Sequence, residues 1–155
     1  MAMPVSVSKP IVGVDVAKNE LVIYHAEVDL LETIPNTKAA IKKWLKALSC
    51  KVAIAIEATN IYHLEFADLA HEAGCVVYMV GGYELKHYRE SVKIRAKTDA
   101  LDAQLLARYL RKEADELRPW TPPSPLYRHL LSLFRRRAAL VPGSYTHLRA
   151  HETLR

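Results

Sequence analysis

The sequence predicts an α/β fold, a mixed sheet with flanking helices. Short runs rich in β-branched residues alternate, from residue 51 onward, with stretches whose apolar residues recur at helical spacing. Before residue 35 the apolar runs follow one another with only short turns between them, as antiparallel strands do. An antiparallel start followed by crossover helices indicates a mixed sheet with helices on its faces.

Four segments have the composition of strands. IVGVDVA (11–17) predicts a buried strand, and LVIYHAEVDLLETI (21–34) predicts one or two further strands in a meander. KVAIAIE (51–57) and CVVYMV (75–80) predict two more buried strands. The predicted sheet therefore has four or five strands.

Helices are predicted between and after these strands. Thr37 is suited to cap KAAIKKWLKAL, and 61–74 has a second amphipathic pattern. DALDAQLLARYLRKEA (99–114) predicts a helix with a wide apolar face, and LYRHLLSLFRRRAALV (126–141) predicts a last helix with a basic face. The proline-rich RPWTPPSP (118–125) separates these two helices as a rigid linker.

The bulk composition is that of a cytoplasmic protein. A net charge of +5 is a weak indication of polyanionic partners. No apolar run approaches the roughly 18 residues of a membrane span, and the start lacks a secretory signal. Cys50 and Cys75 are expected to be buried free thiols.

Two acidic residues end predicted strands. Asp15 lies among valines and isoleucine, where burying a carboxylate costs several kcal/mol without compensation. Glu57 ends the next buried strand, and open α/β sheets gather their sites at such carboxyl ends. Structural interpretations remain open at this point: Asp15 as a turn cap, and Glu57 as an acid at a helix N-terminus.

Asp99 and Asp102 lie three residues apart at the start of the predicted helix, so they share one face. Asp99 alone could be an N-cap, whereas the leucines around Asp102 suggest a buried position. Together with Asp15 and Glu57 they would carry a charge that two Mg²⁺ or Mn²⁺ ions balance, since these ions prefer carboxylate oxygens. A basic run just upstream could bind a phosphate backbone; its residues are Lys86, Arg89, Lys93, Arg95 and Lys97.

Three motifs, IVGVDVAKNELVIY, IEATNIY and KTDALDAQLLARYL, occur in the order and separation typical of one family. They resemble the amino-terminal domain of IS110-family (DEDD) transposases, over roughly residues 10–140. The resemblance implies a RuvC-like, ribonuclease-H-type fold and Mg²⁺- or Mn²⁺-dependent cleavage and joining of DNA strands. By motif, the catalytic and metal-binding acids fall on Asp15, Glu57, Asp99 and Asp102. Family members are guided by a structured RNA and make subunit contacts through the helix after the linker, so DNA, guide RNA and a second copy are implied partners.

The resemblance also implies a division of the chain. Residues 10–117 are predicted as the RuvC-like metal-binding domain, and 118–141 as the linker and a protruding C-terminal helix that begins a coiled coil. Residues 142–155 lack an apolar period and are expected to be a disordered or artefactual tail outside the family. Family members are longer and take a serine nucleophile from a further domain, so we expect a truncated protein that is inactive alone.

Two other functions stay open. The chain could be a stand-alone RuvC-like nuclease or junction resolvase, in which case it would cleave branched DNA without a further domain. It could instead be a non-catalytic nucleic-acid-binding module, whose binding would survive loss of all four acids and depend steeply on salt.

Overall fold

The computed structural model describes residues 9–58 and 61–141, and the predicted tail 142–155 lies outside them. Within the described residues there are five strands and five helices. The strands are β1 Ile11–Val16, β2 Glu20–His25, β3 Leu30–Pro35, β4 Ala53–Glu57 and β5 Val76–Val80. The helices are α1 Lys38–Ala47, α2 Leu64–Glu72, α3 Gly82–Ser91, α4 Asp99–Glu113 and α5 Pro125–Leu140.

The strands form one mixed sheet in the order β3-β2-β1-β4-β5. The first three strands are an antiparallel meander, whereas β1, β4 and β5 pair in parallel. The connections explain the difference, since short turns join β1 to β2 and β2 to β3 while helices lie between the later strands. The predicted mixed sheet is confirmed.

Each face of the sheet carries its own apolar core. Side chains alternate along a strand, so Val12 and Val14 of β1 pack with α1 and α2 on one face. Ile11 of the same strand packs on the opposite face, in a core that α3 and α4 complete. The sheet side of this second core is built partly from small residues, because Ala53 and Ala55 of β4 face it. Helices can therefore approach this face closely.

Helix α4 lies directly on Gly13 of β1. A β-carbon built at Gly13 would overlap the carbonyl oxygen of Ala103 and come within 2.8 Å of the amide nitrogen of Ala107. Both alanines are fully buried in α4. The contact is therefore backbone against backbone, and only glycine on the strand and small residues on the helix permit it. It sets the height and position of α4 above the sheet.

The ends of the helices correct several details of the sequence interpretation. Thr98, not Asp99, is the N-cap of α4, and its hydroxyl accepts a hydrogen bond from the amide of Leu101 at 3.2 Å. The second helix begins at Leu64 rather than at residue 61. Of the two free cysteines, Cys75 is buried as expected, but Cys50 is exposed because it lies after α1, before the next strand begins.

The chain divides into two compact units, one ending at Thr121 and one beginning at Pro122. In the first unit, Trp120 donates its backbone N–H to the carbonyl of Val77 at 2.7 Å, and its ring meets His71 edge-on. In the second unit, most of the described residues belong to α5. Ser124 is the N-cap of this helix, and Pro125 is its first residue. The predicted domain boundary at residue 117 stays a prediction.

Among the described residues no helix is long and apolar enough to cross a bilayer.

We predict that Gly13→Ala lowers the free energy of unfolding by about 3 kcal/mol, the upper part of the range for overpacked cores. The added methyl group meets backbone atoms of α4, which cannot rotate away as a side chain can. Urea unfolding followed by circular dichroism measures the change. Gly82→Ala is the matched control, because Gly82 is a helical glycine with negative φ. It should leave stability equal or slightly higher, and an equally mild effect at Gly13 would contradict the close contact.

Candidate metal and nucleic-acid site

Asp15 and Glu57 lie at the carboxyl ends of adjacent parallel strands. The last paired residues of β1 and β4 are Val14 and Ile56, and each acid comes one residue later. The alternation along both strands turns Asp15 and Glu57 to the face that α4 covers. Two carboxylates that are 42 residues apart in sequence are therefore neighbours at one edge of the sheet.

Helix α4 brings the other two acids to the same edge. Its first turn carries Asp99, which is exposed, and Asp102, which is only 5% exposed. The positive end of the helix dipole favours acids at these positions. Because Gly13 fixes α4 against β1 one turn further along, the start of the helix lies over the end of that strand. The interpretation of Asp99 as the cap no longer applies, since Thr98 has that role.

The pKa values show how closely the four acids interact. Burial raises the pKa of Asp15 to about 6, and repulsion from Asp99, Asp102 and Glu57 adds to the shift. Burial also raises the pKa of Glu57, with a further contribution from Asp102. Glu57 does not lie in the first turn of α2, which begins seven residues later, so the interpretation as a helix-dipole partner does not hold. The four acids share one electrostatic environment that is short of positive charge.

Two basic residues partly compensate this environment. The Arg89 guanidinium forms an ion pair with Oδ1 of Asp102, and the two side chains are 16% and 7% exposed. Lys97 acts on two acids, because its charge opposes the rise in the pKa of Asp15 and of Glu57. Arg89 opposes the rise at Glu57 as well. Two positively charged side chains thus interact with the acids: Arg89 in direct contact and Lys97 through space.

Acids and bases line the same cleft beside α3. The cleft has a volume of about 330 Å³, and its lining contains Glu57, Asp102, Lys86, Arg89 and Lys97. Three residues of the predicted basic run therefore surround two of the predicted acids. A cleft that contains both carboxylates and basic side chains is suited to a phosphate group held through a cation.

The other two residues of the basic run lie elsewhere. Lys93 and Arg95 are exposed and are not among the residues that line this cleft. Lys93 ends α3 with a left-handed φ of 58°, and its N–H donates to the carbonyl of Glu90 while that of Ile94 donates to Arg89. This is the Schellman arrangement, which usually has glycine at that position. The bend turns the chain toward α4 and directs Lys93 and Arg95 to solvent.

The chemistry of the four acids fits a divalent cation. Carboxylates are the hard oxygen ligands that Mg²⁺ and Mn²⁺ prefer, and the raised pKa values of Asp15 and Glu57 show that negative charge is incompletely compensated there. As arranged, no group of three or more acidic, histidine or cysteine side chains in residues 9–58 and 61–141 is positioned to hold one ion. In this arrangement the ion pair with Arg89 occupies Oδ1 of Asp102.

Two features of the site were not evident in the sequence. One is the contact of Gly13 with α4, although a glycine within a buried strand and alanines four residues apart, Ala103 and Ala107, are a signal for close packing. The other is the pairing of Arg89 with Asp102. The spacing of thirteen residues gives no hint of it, because the pair depends on how α3 and α4 meet.

The fold is that of RuvC, a member of the ribonuclease-H-like class. A structure of RuvC from T. thermophilus in complex with a Holliday junction substrate matches with a TM-score of 0.51 at 14% identity, over 72% of this chain and 99% of that chain. A second Thermus thermophilus RuvC structure matches with a TM-score of 0.50, also at 14% identity, over 71% of this chain and 99% of that one. The predicted RuvC-like fold is confirmed.

The family follows from the sequence. The model of the IS110-type DEDD transposases, described as "Transposase", matches residues 12–153. The chain belongs to this family, as the three motifs indicated. The matched range includes residues 142–153, which were expected to lie outside the family.

Two curated relatives support the same grouping. The pilin gene-inverting protein of Moraxella lacunata is 33% identical over 138 residues, and that of Moraxella bovis is 31% identical over the same length. Each comparison covers 84% of this chain and 42% of the relative. The chain thus spans less than half the length of these relatives.

We predict that, without metal, Asp15→Asn raises stability relative to the wild type as pH increases from about 4 to about 6. The pKa of Asp15 rises from an ordinary value of about 4 to about 6 in the folded state. Within this window the unfolded chain loses the proton first, so ionisation lowers the stability of the folded wild type, whereas asparagine does not ionise. Above the window the difference should be on the order of 1 kcal/mol, because Asp15 is only half-buried.

Urea unfolding in a chelating buffer at several pH values measures this difference. Asp115→Asn is the matched control, since Asp115 is an exposed acid beyond the far end of α4. Its difference from the wild type should not change across the window. If Asp15→Asn behaves like this control, Asp15 does not have the electrostatic environment described above.

Proposed function

We propose that the chain contains the catalytic metal-binding domain of an IS110-type transposase, which acts on DNA phosphates with Mg²⁺ or Mn²⁺ held by Asp15, Glu57, Asp99 and Asp102. The observation that carries the proposal is the meeting of four carboxylates at one edge of a RuvC-like sheet, with the pKa of Asp15 raised to about 6. Divalent cations that bind between such carboxylates relieve their mutual repulsion. The family and the fold support the same chemistry.

Each acid has a distinct support within the proposed site. Asp15 and Glu57 offer carboxylate oxygens from the ends of rigid paired strands, and Asp99 and Asp102 offer theirs from the first turn of a helix. When bound, a pair of divalent ions would stabilise the attacking and leaving oxygens of a phosphoryl transfer. The basic residues of the cleft would orient the phosphate by binding its remaining oxygens.

DNA and a structured guide RNA are the proposed partners. Lys86, Arg89 and Lys97 would contact phosphates within the cleft, and the exposed Lys93 and Arg95 would contact the backbone beside it. The names of the two Moraxella relatives describe inversion of a gene, which is a recombination of DNA. The RNA partner rests on the family resemblance. Since the proposed substrate is DNA of the cell, we expect the protein to act in the cytoplasm.

Strand cleavage and joining are proposed to need a serine from a further domain. Ser91 is exposed and donates its hydroxyl to the carbonyl of Tyr88, and Ser132 lies exposed on α5. Neither serine is among the residues lining the cleft of the acids. We therefore expect this chain to bind metal and nucleic acid without completing the reaction alone.

Helix α5 is proposed to contact a second copy of the chain. In the described residues of its unit the helix has no buried residue, and an apolar stripe remains exposed along it. The stripe contains Leu126, Leu130, Leu133 and Leu140, at spacings of four, three and seven residues, with Arg137 at the position between the last two. This is the spacing of a coiled-coil seam, and a helix of 16 residues gains most of its stability from such packing.

We predict that Mg²⁺ or Mn²⁺ raises the melting temperature of the wild type and not that of an Asp15→Asn, Asp102→Asn double variant. Ligand at one hundred times its Kd adds about 2.7 kcal/mol of stability to the form that binds it. Thermal unfolding with increasing metal measures the shift, and each protein is compared with its own metal-free sample. The shift should persist in an Asp115→Asn, Glu116→Gln double variant, which removes two exposed acids away from the site. Equal shifts in the wild type and the site variant would refute the metal site.

Nuclease and nucleic-acid-binding assays with the same proteins distinguish the two alternative functions. Metal-dependent cleavage of branched DNA by this chain alone would instead indicate a stand-alone nuclease or junction resolvase. Nucleic-acid binding that survives loss of all four acids and falls steeply with salt, with no metal-induced shift, would indicate a non-catalytic binding module.

We predict that the wild type self-associates through α5 and that a Leu130→Glu, Leu133→Glu double variant is monomeric. Charges on the apolar stripe would have to be buried in the contact, which is costly. Light scattering after size-exclusion chromatography measures the mass. Arg135→Glu changes the net charge equally on the opposite side of the helix, given 100° per residue, and should leave the assembly intact. Self-association that is unaffected by the double leucine variant would exclude α5 as the contact.

A further inference from the structure

The pairing of Arg89 with Asp102 is held in place from both helices. Leu85 and Tyr88 bury the inner face of α3, and the ring of Tyr88 meets that of Tyr109 in α4 with centroids 5.1 Å apart. The Schellman turn at Lys93 closes α3 in the same turn as Arg89, whose carbonyl accepts a hydrogen bond from the N–H of Ile94. The guanidinium therefore has a defined position over the first turn of α4 and is not a mobile surface group.

Each partner of this ion pair stabilises the buried charge of the other while no other ion is present. Asp102 is almost fully buried, and the Arg89 side chain is 16% exposed, so each charge would be poorly solvated alone. Leaving one charge of such a pair without its partner is strongly destabilising. Arg89 contacts Oδ1 of Asp102, so a cation that binds this carboxylate competes with Arg89 for its negative charge, and an Arg89 side chain that is released needs another anion.

The cleft supplies the place for that anion. Arg89 lines it together with Lys86 and Lys97, so an oxyanion between these three side chains would meet three positive charges. A guanidinium binds two oxygens of a phosphate with parallel hydrogen bonds, as it does those of a carboxylate. A nucleic-acid phosphate is thus a suitable replacement for the Asp102 carboxylate.

The other two bases of the cleft do not have this property. Lys86 and Lys97 are exposed, and within residues 9–58 and 61–141 the ion pair to Asp102 is made by Arg89. Lys97 acts on Asp15 and Glu57 through space. Removing either lysine weakens attraction for phosphate but frees no carboxylate.

We propose that Arg89 is a positioning residue that holds Asp102 when the site carries no divalent cation and holds a nucleic-acid phosphate when the cation is bound. The inference rests on the proposed function, because it takes Asp102 as a metal ligand. Its consequence is coupling: the cation releases Arg89 for the phosphate, and the phosphate releases Asp102 for the cation. Linkage requires that each ligand tightens the binding of the other by the same factor.

The test compares wild type with Arg89→Gln, using Mn²⁺ and a short DNA duplex as probes. Calorimetric titration gives the Mn²⁺ affinity without DNA, and fluorescence anisotropy at fixed ionic strength gives the DNA affinity with and without Mn²⁺. The Asp15→Asn, Asp102→Asn variant provides the reference for general effects of Mn²⁺ on DNA binding.

Arg89→Gln should bind Mn²⁺ roughly tenfold more tightly than the wild type, because one charge-assisted hydrogen bond no longer competes for Asp102. In the wild type Mn²⁺ should tighten DNA binding about tenfold above the reference, within the usual range of coupling, and Arg89→Gln should lose this gain. A merely structural role for Arg89 predicts the opposite sign, since a damaged site binds Mn²⁺ more weakly.

Two further variants complete the design. Lys86→Gln, the matched control from the same cleft, should weaken DNA binding while leaving the Mn²⁺ affinity and the coupling unchanged. Arg89→Lys keeps the charge but loses the forked geometry, and it should show reduced coupling. This variant decides the matter if Arg89→Gln does not fold.

The outcomes separate this inference from the proposed function. Mn²⁺ binding that requires the carboxylates, with affinity and coupling unaltered in the Arg89 variants, would overturn the role of Arg89 alone. Absence of Mn²⁺ binding in the wild type would overturn the proposed function and the role of Arg89 with it.

Discussion

The contact between the backbone of α4 and Gly13 of β1 is the constraint on which the site depends. It allows the helix to lie closer to the sheet than any side chain on the strand would permit. The alanines of β4 and α4 extend the same small-residue surface, so the helix is held at this height along its length. As a result the first turn of α4 ends over the carboxyl ends of β1 and β4, where Asp15 and Glu57 lie. A larger residue at position 13 would push α4 outward and so move Asp99 and Asp102 away from Asp15 and Glu57.

Close packing creates the electrostatic problem that gives the site its character. Burial raises the pKa of Asp15 and of Glu57, and repulsion from the neighbouring carboxylates adds to both shifts. Basic residues of α3 and of the segment after it partly compensate this negative charge, and one of them, Arg89, forms an ion pair with Asp102. The balance is incomplete, because the pKa values of Asp15 and Glu57 stay raised despite these bases. Packing, charge and the proposed chemistry are thus consequences of one geometric arrangement.

Most of the fold could be predicted because its signals are local. The β-branched runs around Val12, Ile54 and Val77 indicated strands, and the leucines of α4 indicated a helix with a wide buried face. The four acids could be singled out because Asp15 and Glu57 end apolar strands, and because Asp99 and Asp102 are spaced to share one helix face. The details at helix ends were less certain: Asp99 and Thr98 are both good caps, and only backbone geometry shows that Thr98 has this role.

By itself the sequence determined the strands, every helix except α3, the mixed sheet, the family and the residues that carry charge. It could do so because periodicity, composition and motif are properties of neighbouring residues. Only the tertiary structure decided which charges meet: that Arg89 pairs with Asp102, that Lys97 acts on Asp15 and Glu57, and that Lys93 and Arg95 lie outside the cleft. Coulomb interactions depend on distance through space, and those distances follow from how α3 and α4 pack, which no spacing along the chain encodes.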